Sequence, residues 1–197
     1  MEIVNYCVPF DIFTQWFEKA KSKKEIIEPT AMCLSTVKNN TPSSRMVLLK
    51  HFDESGFCFY TNLTSNKAEQ LSMNKNVSLC FYWGSLGYQV RIEGHAIGVT
   101  KKEADDYFAS RRRESQIGAW ASKQSREMQN EDEFQNRIKE IEKKFFNKDV
   151  PRPDFWSGFR VVANRIEFWE EKDFRLHTRN LFILQDNKTW AKSRIYP

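Results

Sequence analysis

The chain has 197 residues, 31 Lys and Arg against 26 Asp and Glu, a net charge of +5 and 14% aromatic residues. That length is enough for one domain with a sizeable core, and the aromatic content argues against disorder over most of the chain. The N-terminus MEIVNYCVPFDIF lacks a basic start followed by an apolar run, and no stretch nears the ~18–20 apolar residues of a membrane span. Neither a secretion signal nor a membrane partner is expected.

A helix is predicted from about residue 11 to 20, with Asp11 as N-cap and Phe13, Trp16, Phe17 and Ala20 on one face. AMCLSTV (31–37) reads as a strand, followed by the turn-rich KNNTPSS and a strand RMVLLKHF (45–52). After the turn DESG (53–56) come a strand FCFYT (57–61) and a short helix SNKAEQLSMN (65–74) opened by Ser65. VSLCFYW (77–83) and QVRIEGHAIGV (89–99) return to strand character. KKEADDYFASR (101–111) is helical by pattern, and a helical insertion covers about 126–146 before PRP (151–153) ends it. FRVV (159–162), RIEFWE (165–170) and RLHTRNLFIL (175–184) are predicted strands. Short strands joined by turns, with helices inserted, indicate a mainly β, mostly antiparallel sheet closed into a barrel. One domain over 1–197 is expected, with no repeat and no linker.

The positive charge points to anionic partners. It concentrates in KAKSKK (19–24), RRR (111–113) and RIKEIEKKFFNK (137–148), the last a solvated helix face by its mixed signs. No basic stripe with interleaved aromatics appears, so nucleic acid is not an expected partner. Cys7, Cys33, Cys58 and Cys80 show no CxxC spacing and read as free thiols of a cytoplasmic protein. Cys58 and Cys80 read as core residues, not redox centres. The histidines are too dispersed to suggest a metal site, and none is expected.

Three stretches carry polar groups a core does not need. RMVLLK puts Arg45 and Lys50 at opposite parity on one strand, facing two different places. SRRRESQIGAWASKQS (110–125) groups Arg111, Ser115, Gln124 and Ser125 around a GAW turn, donors that suit phosphate oxygens. In RLHTR (175–179), a strand sends Arg175, His177 and Arg179 to one face, which is either a solvated surface or the wall of a polyanion pocket.

In chain order, RMVLLK, FYTNLTSNKAEQL, QVRIEG, YFASRRRESQIGAWASKQS, PRPDFWSGFRV, IEFWEEKDFRLHTR and the terminal RIYP resemble the pyridoxamine 5′-phosphate oxidase family, from about residue 10 to the C-terminus. The resemblance implies an FMN-binding split β-barrel, homodimeric, with FMN at the subunit interface and strands 159–197 shared between dimerisation and active site. It implies that Arg45 and Lys67 hold the FMN phosphate with Gln124 and Ser125 assisting. The backbone of Met46, Val47, Leu48 and Leu49 would surround the rest of the flavin, with Lys50, Tyr60, Thr61, Gln89, Trp169 and Arg179. Lys50, Tyr107, Arg111 and Ser115 would bind the substrate phosphate, and Arg175, Leu176 and His177 the pyridine end, with Arg175 and His177 catalytic. The implied reaction is hydride transfer from C4′ of pyridoxamine or pyridoxine 5′-phosphate to flavin N5, with O2 as acceptor and hydrogen peroxide released.

The chain departs from the family pattern at four positions. Asn66 and Tyr88 stand where arginines are usual, Arg112 replaces a proline, and Thr178 replaces an aspartate that could orient neighbouring arginines. No counterpart of the family's N-terminal substrate cover is recognisable ahead of Pro9, so a more open site or a lid supplied differently is expected. Two other readings compete: a flavin oxidase of the same fold acting on another reduced aromatic such as a phenazine precursor, and a non-catalytic module for flavin, pyridoxal phosphate or RNA. Trp120 and Trp156 are expected in the core, whereas Trp169 enters the site only through the resemblance.

Overall fold

The computed structural model describes all 197 residues. Helix α1, Val8–Ser22, starts three residues before Asp11. Pro9 fits the first turn, where its missing N–H has no partner to lose, and Asp11 sits within that turn near the positive helix end. Phe13 is fully buried on the inner face of α1 and meets Phe52, Phe57 and Phe81 edge-on. Burying such a ring contributes about 1.5–3 kcal/mol, which holds α1 against the sheet.

The strands are β1 Glu2–Val4, β2 Ala31–Lys38, β3 Thr41–Leu48, β4 His51–Asp53, β5 Gly56–Asn62, β6 Asn76–Trp83, β7 Tyr88–Gly98, β8 Trp156–Glu170, β9 Thr178–Leu184 and β10 Trp190–Arg194. All ladders are antiparallel. Helices α2 (Asn66–Met73), α3 (Lys101–Ser110), α4 (Arg113–Ala121) and α5 (Glu131–Lys144) are inserted between strands. The barrel closes at a bend. β3 pairs with β2; Leu49 N then donates to Thr30 O (2.8 Å) and Lys50 N to Cys58 O (2.9 Å), and the chain continues as β4 on β5. From β5 the ring runs through β8, β7 and β6 back to β2.

β8 is where the barrel splits. Its first part, from Trp156 to Val161, pairs with β5 and from Phe159 also with β7; its second, from Arg165 to Glu170, exchanges β5 for β9, which leads out to β10 and β1. A bulge at Glu93/Gly94 lets β7 follow this turn. A Cβ on Gly94 would stand 2.0 Å from Val162 O, so only glycine fits there.

Several predicted boundaries are corrected. RMVLLKHF is two strands, because Leu49–Lys50 is the corner at which the chain changes partners. The KNNTPSS turn shrinks to Asn39 and Asn40, both at positive φ, and TPSS belongs to β3. The GAW turn is the interior of α4, and the 159–162 and 165–170 strands are one. RLHTR is not a single strand: Asp173–Arg175 form a 3-10 turn with Phe174 and Arg175 at φ 55° and 61°, and β9 begins at Thr178. Arg175 therefore does not share a regular strand face with His177 and Arg179. β1 and β10 were not anticipated.

The main core fills the barrel; a smaller one of Phe108, Ile117, Phe145, Val150 and Trp156 lies beneath α3–α5. No helix is long and apolar enough to cross a membrane.

Candidate active site

A cleft of about 460 Å³ opens between the edge strand β3, β5 and helices α3 and α4. Met46, Val47, Leu48 and Lys50 enter from β3 and its bend, Tyr60 and Thr61 from β5, and Lys67 from α2. Tyr107 and Arg111 enter from α3 and its C-cap, Ser115 from α4 and Gln124 from the segment after it. Residues far apart in sequence, expected for two phosphates and a flavin, thus line one cavity.

Its electrostatics are unusual for a protein interior. The Lys67 side chain is only 9% exposed, yet its Nζ meets neutral acceptors alone: Thr61 Oγ1 at 3.1 Å, Gln124 Oε1 at 3.0 Å and Ser65 Oγ at 3.4 Å. Burial, with the Arg45 charge second, pulls its pKa below the ordinary lysine value. Arg111 also has no carboxylate partner, and its buried Nη1 has no hydrogen-bond acceptor at all. Burial lowers its pKa, opposed by Tyr107. A buried or half-buried cation without a counter-ion is costly to keep, and both find one if an anion occupies the cleft.

Aromatic rings hold this wall. Tyr60 stacks on Tyr107 at 4.1 Å and on Trp156 at 5.4 Å, and burial pushes the Tyr60 hydroxyl up to about 12. Gly158 faces Tyr60 across the β5–β8 ladder, where a Cβ would come within 2.6 Å of the ring.

Not every expected residue lines the cleft. Arg45 turns away to Thr36 Oγ1 (2.6 Å), Gln70 Oε1 (2.7 Å) and the carbonyls of Leu34 and Ser43, although it remains close enough to shift Lys67. The Leu49 side chain is in the core, and Ser125, at φ 67°, lines a neighbouring hollow. Leu176, His177 and Arg179 lie in a separate hollow of about 480 Å³ with the C-terminal Arg194–Pro197. Arg175 is exposed beside it. Trp169, paired with Gln89, packs on the His177 ring at 4.5 Å. Arg179 is held by Glu167, a carboxylate only 2% exposed, at 2.7 Å, and donates to Tyr196 O at 3.0 Å.

Two of the four departures from the family pattern have local explanations, and Asn66 and Arg112 have none in the structure. Tyr88 stacks on Trp16 of α1 at 4.0 Å, a packing role where an arginine is usual. Glu167 supplies a carboxylate to Arg179, although Thr178 supplies none. Asn66 is the exposed first residue of α2, and Arg112 is the N-cap of α4. Ahead of Pro9 the chain forms β1 on β10, and Tyr6 O accepts from Trp190 Nε1.

Sequence reasoning missed Asn62, Gly118, Ala119, Ser122 and Trp156, all of which line the cleft. Ser115, Gly118, Ala119 and Ser122 recur at helical spacing, a small-residue face that reading GAW as a turn concealed. Trp156 has the core packing expected of it and also faces the cleft.

Residues 19–145 match the family model described as pyridoxamine 5′-phosphate oxidase, and 156–197 match the pyridoxine 5′-phosphate oxidase C-terminal dimerisation region. The latter supports a homodimer. The chain is 48% identical over 190 residues to a pyridoxine/pyridoxamine 5′-phosphate oxidase of Zymomonas mobilis, covering 96% of this chain and 98% of that protein. It is also 48% identical to the Pelagibacter ubique protein of the same name, covering 96% and 91%. Among solved structures, it is similar to PhzG from Burkholderia lata in complex with tetrahydrophenazine-1-carboxylic acid, with TM-score 0.90, 27% identity and coverage of 96% and 92%. A pyridoxamine 5′-phosphate oxidase-related FMN-binding protein from Nostoc punctiforme shares the fold at TM-score 0.76 and 14% identity over the full length of both chains. The carboxylate-free cations beside an aromatic and apolar wall fit a flavin that carries a phosphate. The chain belongs to the pyridoxine/pyridoxamine 5′-phosphate oxidase family and is an FMN-dependent oxidoreductase with the split-barrel fold.

Proposed function

We propose that the protein, acting as one domain, oxidises pyridoxamine 5′-phosphate or pyridoxine 5′-phosphate to pyridoxal 5′-phosphate, with O2 as acceptor and hydrogen peroxide as by-product. The observation that carries this reading is the pair of cations, buried Lys67 and half-buried Arg111, that share one cleft and lack any carboxylate partner. Two phosphate esters bring about three to four negative charges at neutral pH. Lys67, assisted by Thr61 and Gln124, serves the FMN phosphate; Arg45 joins it by leaving its Gln70 contact, and Ser125 by a small loop movement. Arg111, Lys50, Tyr107 and Ser115 serve the substrate phosphate. When bound, FMN supplies the hydride acceptor for the substrate C4′ and passes the electrons to O2.

The remaining groups argue for a second copy of the chain. Leu48 and Lys67 line the cleft, whereas Leu176, His177 and Arg179 line a different hollow of the same protomer. A flavin seated in the cleft therefore does not have both sets around it within one protomer. A twofold dimer brings Gln89, Trp169, Arg175, His177 and Arg179 of one protomer to the cleft of its partner and completes two equivalent sites. The side chains of Met46, Tyr82, Phe174 and Leu176, which the protomer leaves 62%, 64%, 92% and 68% exposed, support burial by such a partner. In the assembled site Arg175 and His177 orient the pyridine ring and stabilise charge that develops at the reacting carbon.

The vitamin B6 substrate is favoured over a phenazine precursor because relatives bearing that activity's name are 48% identical, whereas the phenazine-bound neighbour is 27% identical. The test is anaerobic mixing of FMN-loaded protein with pyridoxamine 5′-phosphate while following the visible flavin band. Bleaching that reverses in air is the expected result. A band that persists with this substrate and with pyridoxine 5′-phosphate refutes the assignment.

A further inference from the structure

Arg111 carries the substrate-phosphate assignment, but no carboxylate fixes its guanidinium. Its Cζ instead lies 4.9 Å from the Trp156 ring centroid and 5.4 Å from that of Phe108. Trp156 is 6% exposed and Phe108 1%, so these are rigid, largely dehydrated platforms. The indole is itself held by three neighbouring rings. Tyr60 stacks on it at 5.4 Å and 8°, Tyr107 at 6.1 Å and 13°, and Phe108 meets it edge-on at 5.0 Å. Its carbonyl accepts from Arg152 Nη1 at 2.6 Å, and Arg152 pairs with Asp105 of α3 at 2.6 Å. The helix that ends at Arg111 is thereby tied to the strand that presents the indole.

We infer that Trp156 is a positioning residue of the substrate site, its ring face holding the Arg111 guanidinium at the cleft without a carboxylate partner, so that its charge stays available to an anion. This rests on the reading of the cleft as the substrate-phosphate site. An arginine held by a carboxylate would present a neutralised pair to an incoming phosphate. One held on an aromatic face keeps its charge and its donors. It also loses little side-chain freedom on binding, which lowers the entropic cost of capturing the phosphate. The indole is the best of the natural rings for this, and a phenyl ring is weaker.

The experiment compares Trp156→Phe, Trp156→Leu and Arg111→Ala holoenzymes with the wild type. KM and kcat are measured with pyridoxamine 5′-phosphate, the competitive inhibition constant with inorganic phosphate, and the FMN dissociation constant by flavin fluorescence. The expected result is a graded rise in KM, roughly threefold for Phe and roughly tenfold for Leu. The phosphate inhibition constant should rise in parallel, while the FMN dissociation constant stays within about twofold. If Arg111→Ala raises KM but both Trp156 variants keep wild-type KM and phosphate inhibition, the positioning role is overturned while the reading of the cleft stands. If the Trp156 variants lose kcat and FMN affinity together with unchanged KM, the indole is only a structural support, and the proposal is again overturned. If Arg111→Ala itself leaves KM unchanged, the reading of the cleft fails and takes this role with it. Should the Leu variant not fold, the Phe variant decides by the same parallel rise in KM and phosphate inhibition.

Discussion

Replacing Lys67 with methionine should move apoprotein stability and cofactor affinity in opposite directions. The ammonium is buried against Thr61, Ser65 and Gln124, all neutral, and its pKa is lowered chiefly by that burial. A base whose pKa falls on folding is harder to keep protonated in the folded chain, so at neutral pH its charge opposes folding. Methionine keeps most of the volume and removes that charge. The apoprotein melting temperature should therefore hold or rise, by up to about 4 °C, since about 1 kcal/mol corresponds to about 2–4 °C in a chain of this size. The same change deletes a hydrogen bond to a charged phosphate that contributes about 1.5–3 kcal/mol, weakening FMN binding by roughly ten- to a hundredfold. Fluorimetric melting of the apoprotein and quenching of flavin fluorescence on titration read the two effects separately. Wild-type FMN affinity, or an apoprotein that melts more than about 5 °C lower, would refute the reasoning. The lysine would then be a structural anchor, not a cation poised for an anion.

Further outcomes follow from other parts of the structure. Arg175→Ala should slow anaerobic flavin reduction about a hundredfold, in the range for removing one preorganised charge, with FMN affinity nearly unchanged; stopped-flow reduction at the wild-type rate would count against a catalytic role. Gly158→Ala places a Cβ 2.6 Å from the Tyr60 ring, so it should destabilise the protein by about 1–3 kcal/mol on chemical denaturation and raise KM by disturbing the Tyr60–Tyr107–Trp156 stack. Hydrogen bonds from the Thr100 backbone and side chain, and then Arg160, hold the Glu103 carboxyl down at about 2 against an ordinary 4.5. Its contribution to stability is fully present above pH 4.5 and disappears as pH falls toward about 2. Glu103→Gln should therefore flatten acid unfolding in that window while leaving its steepness elsewhere unchanged.

The local parts of this protein were legible in its sequence because they depend on near neighbours along the chain. The spacing of Phe13, Phe17 and Ala20 marked the buried face of α1, and apolar runs such as VSLCFYW marked strands. Thr100 and Glu103 form a capping box at the start of α3, close to the predicted helix boundary. The ordered blocks that resemble a known family carried the cofactor and the substrate class, which periodicity alone did not. Tertiary structure decided what depends on distant partners. Gly118 reads as a turn residue in isolation, yet packing of α4 over the cleft keeps it helical, with open space where a side chain would stand. The RMV strand ends at Leu49–Lys50 because the chain there exchanges β2 for β5, and no local signal encodes a change of partner. RLHTR alternates like a strand, but a turn through Phe174 and Arg175 removes its first arginine from the ladder. Arg111 shows this most directly. Its charge was visible in the sequence, but its unpartnered Nη1 and the indole beneath it exist only because β8 and α3 meet.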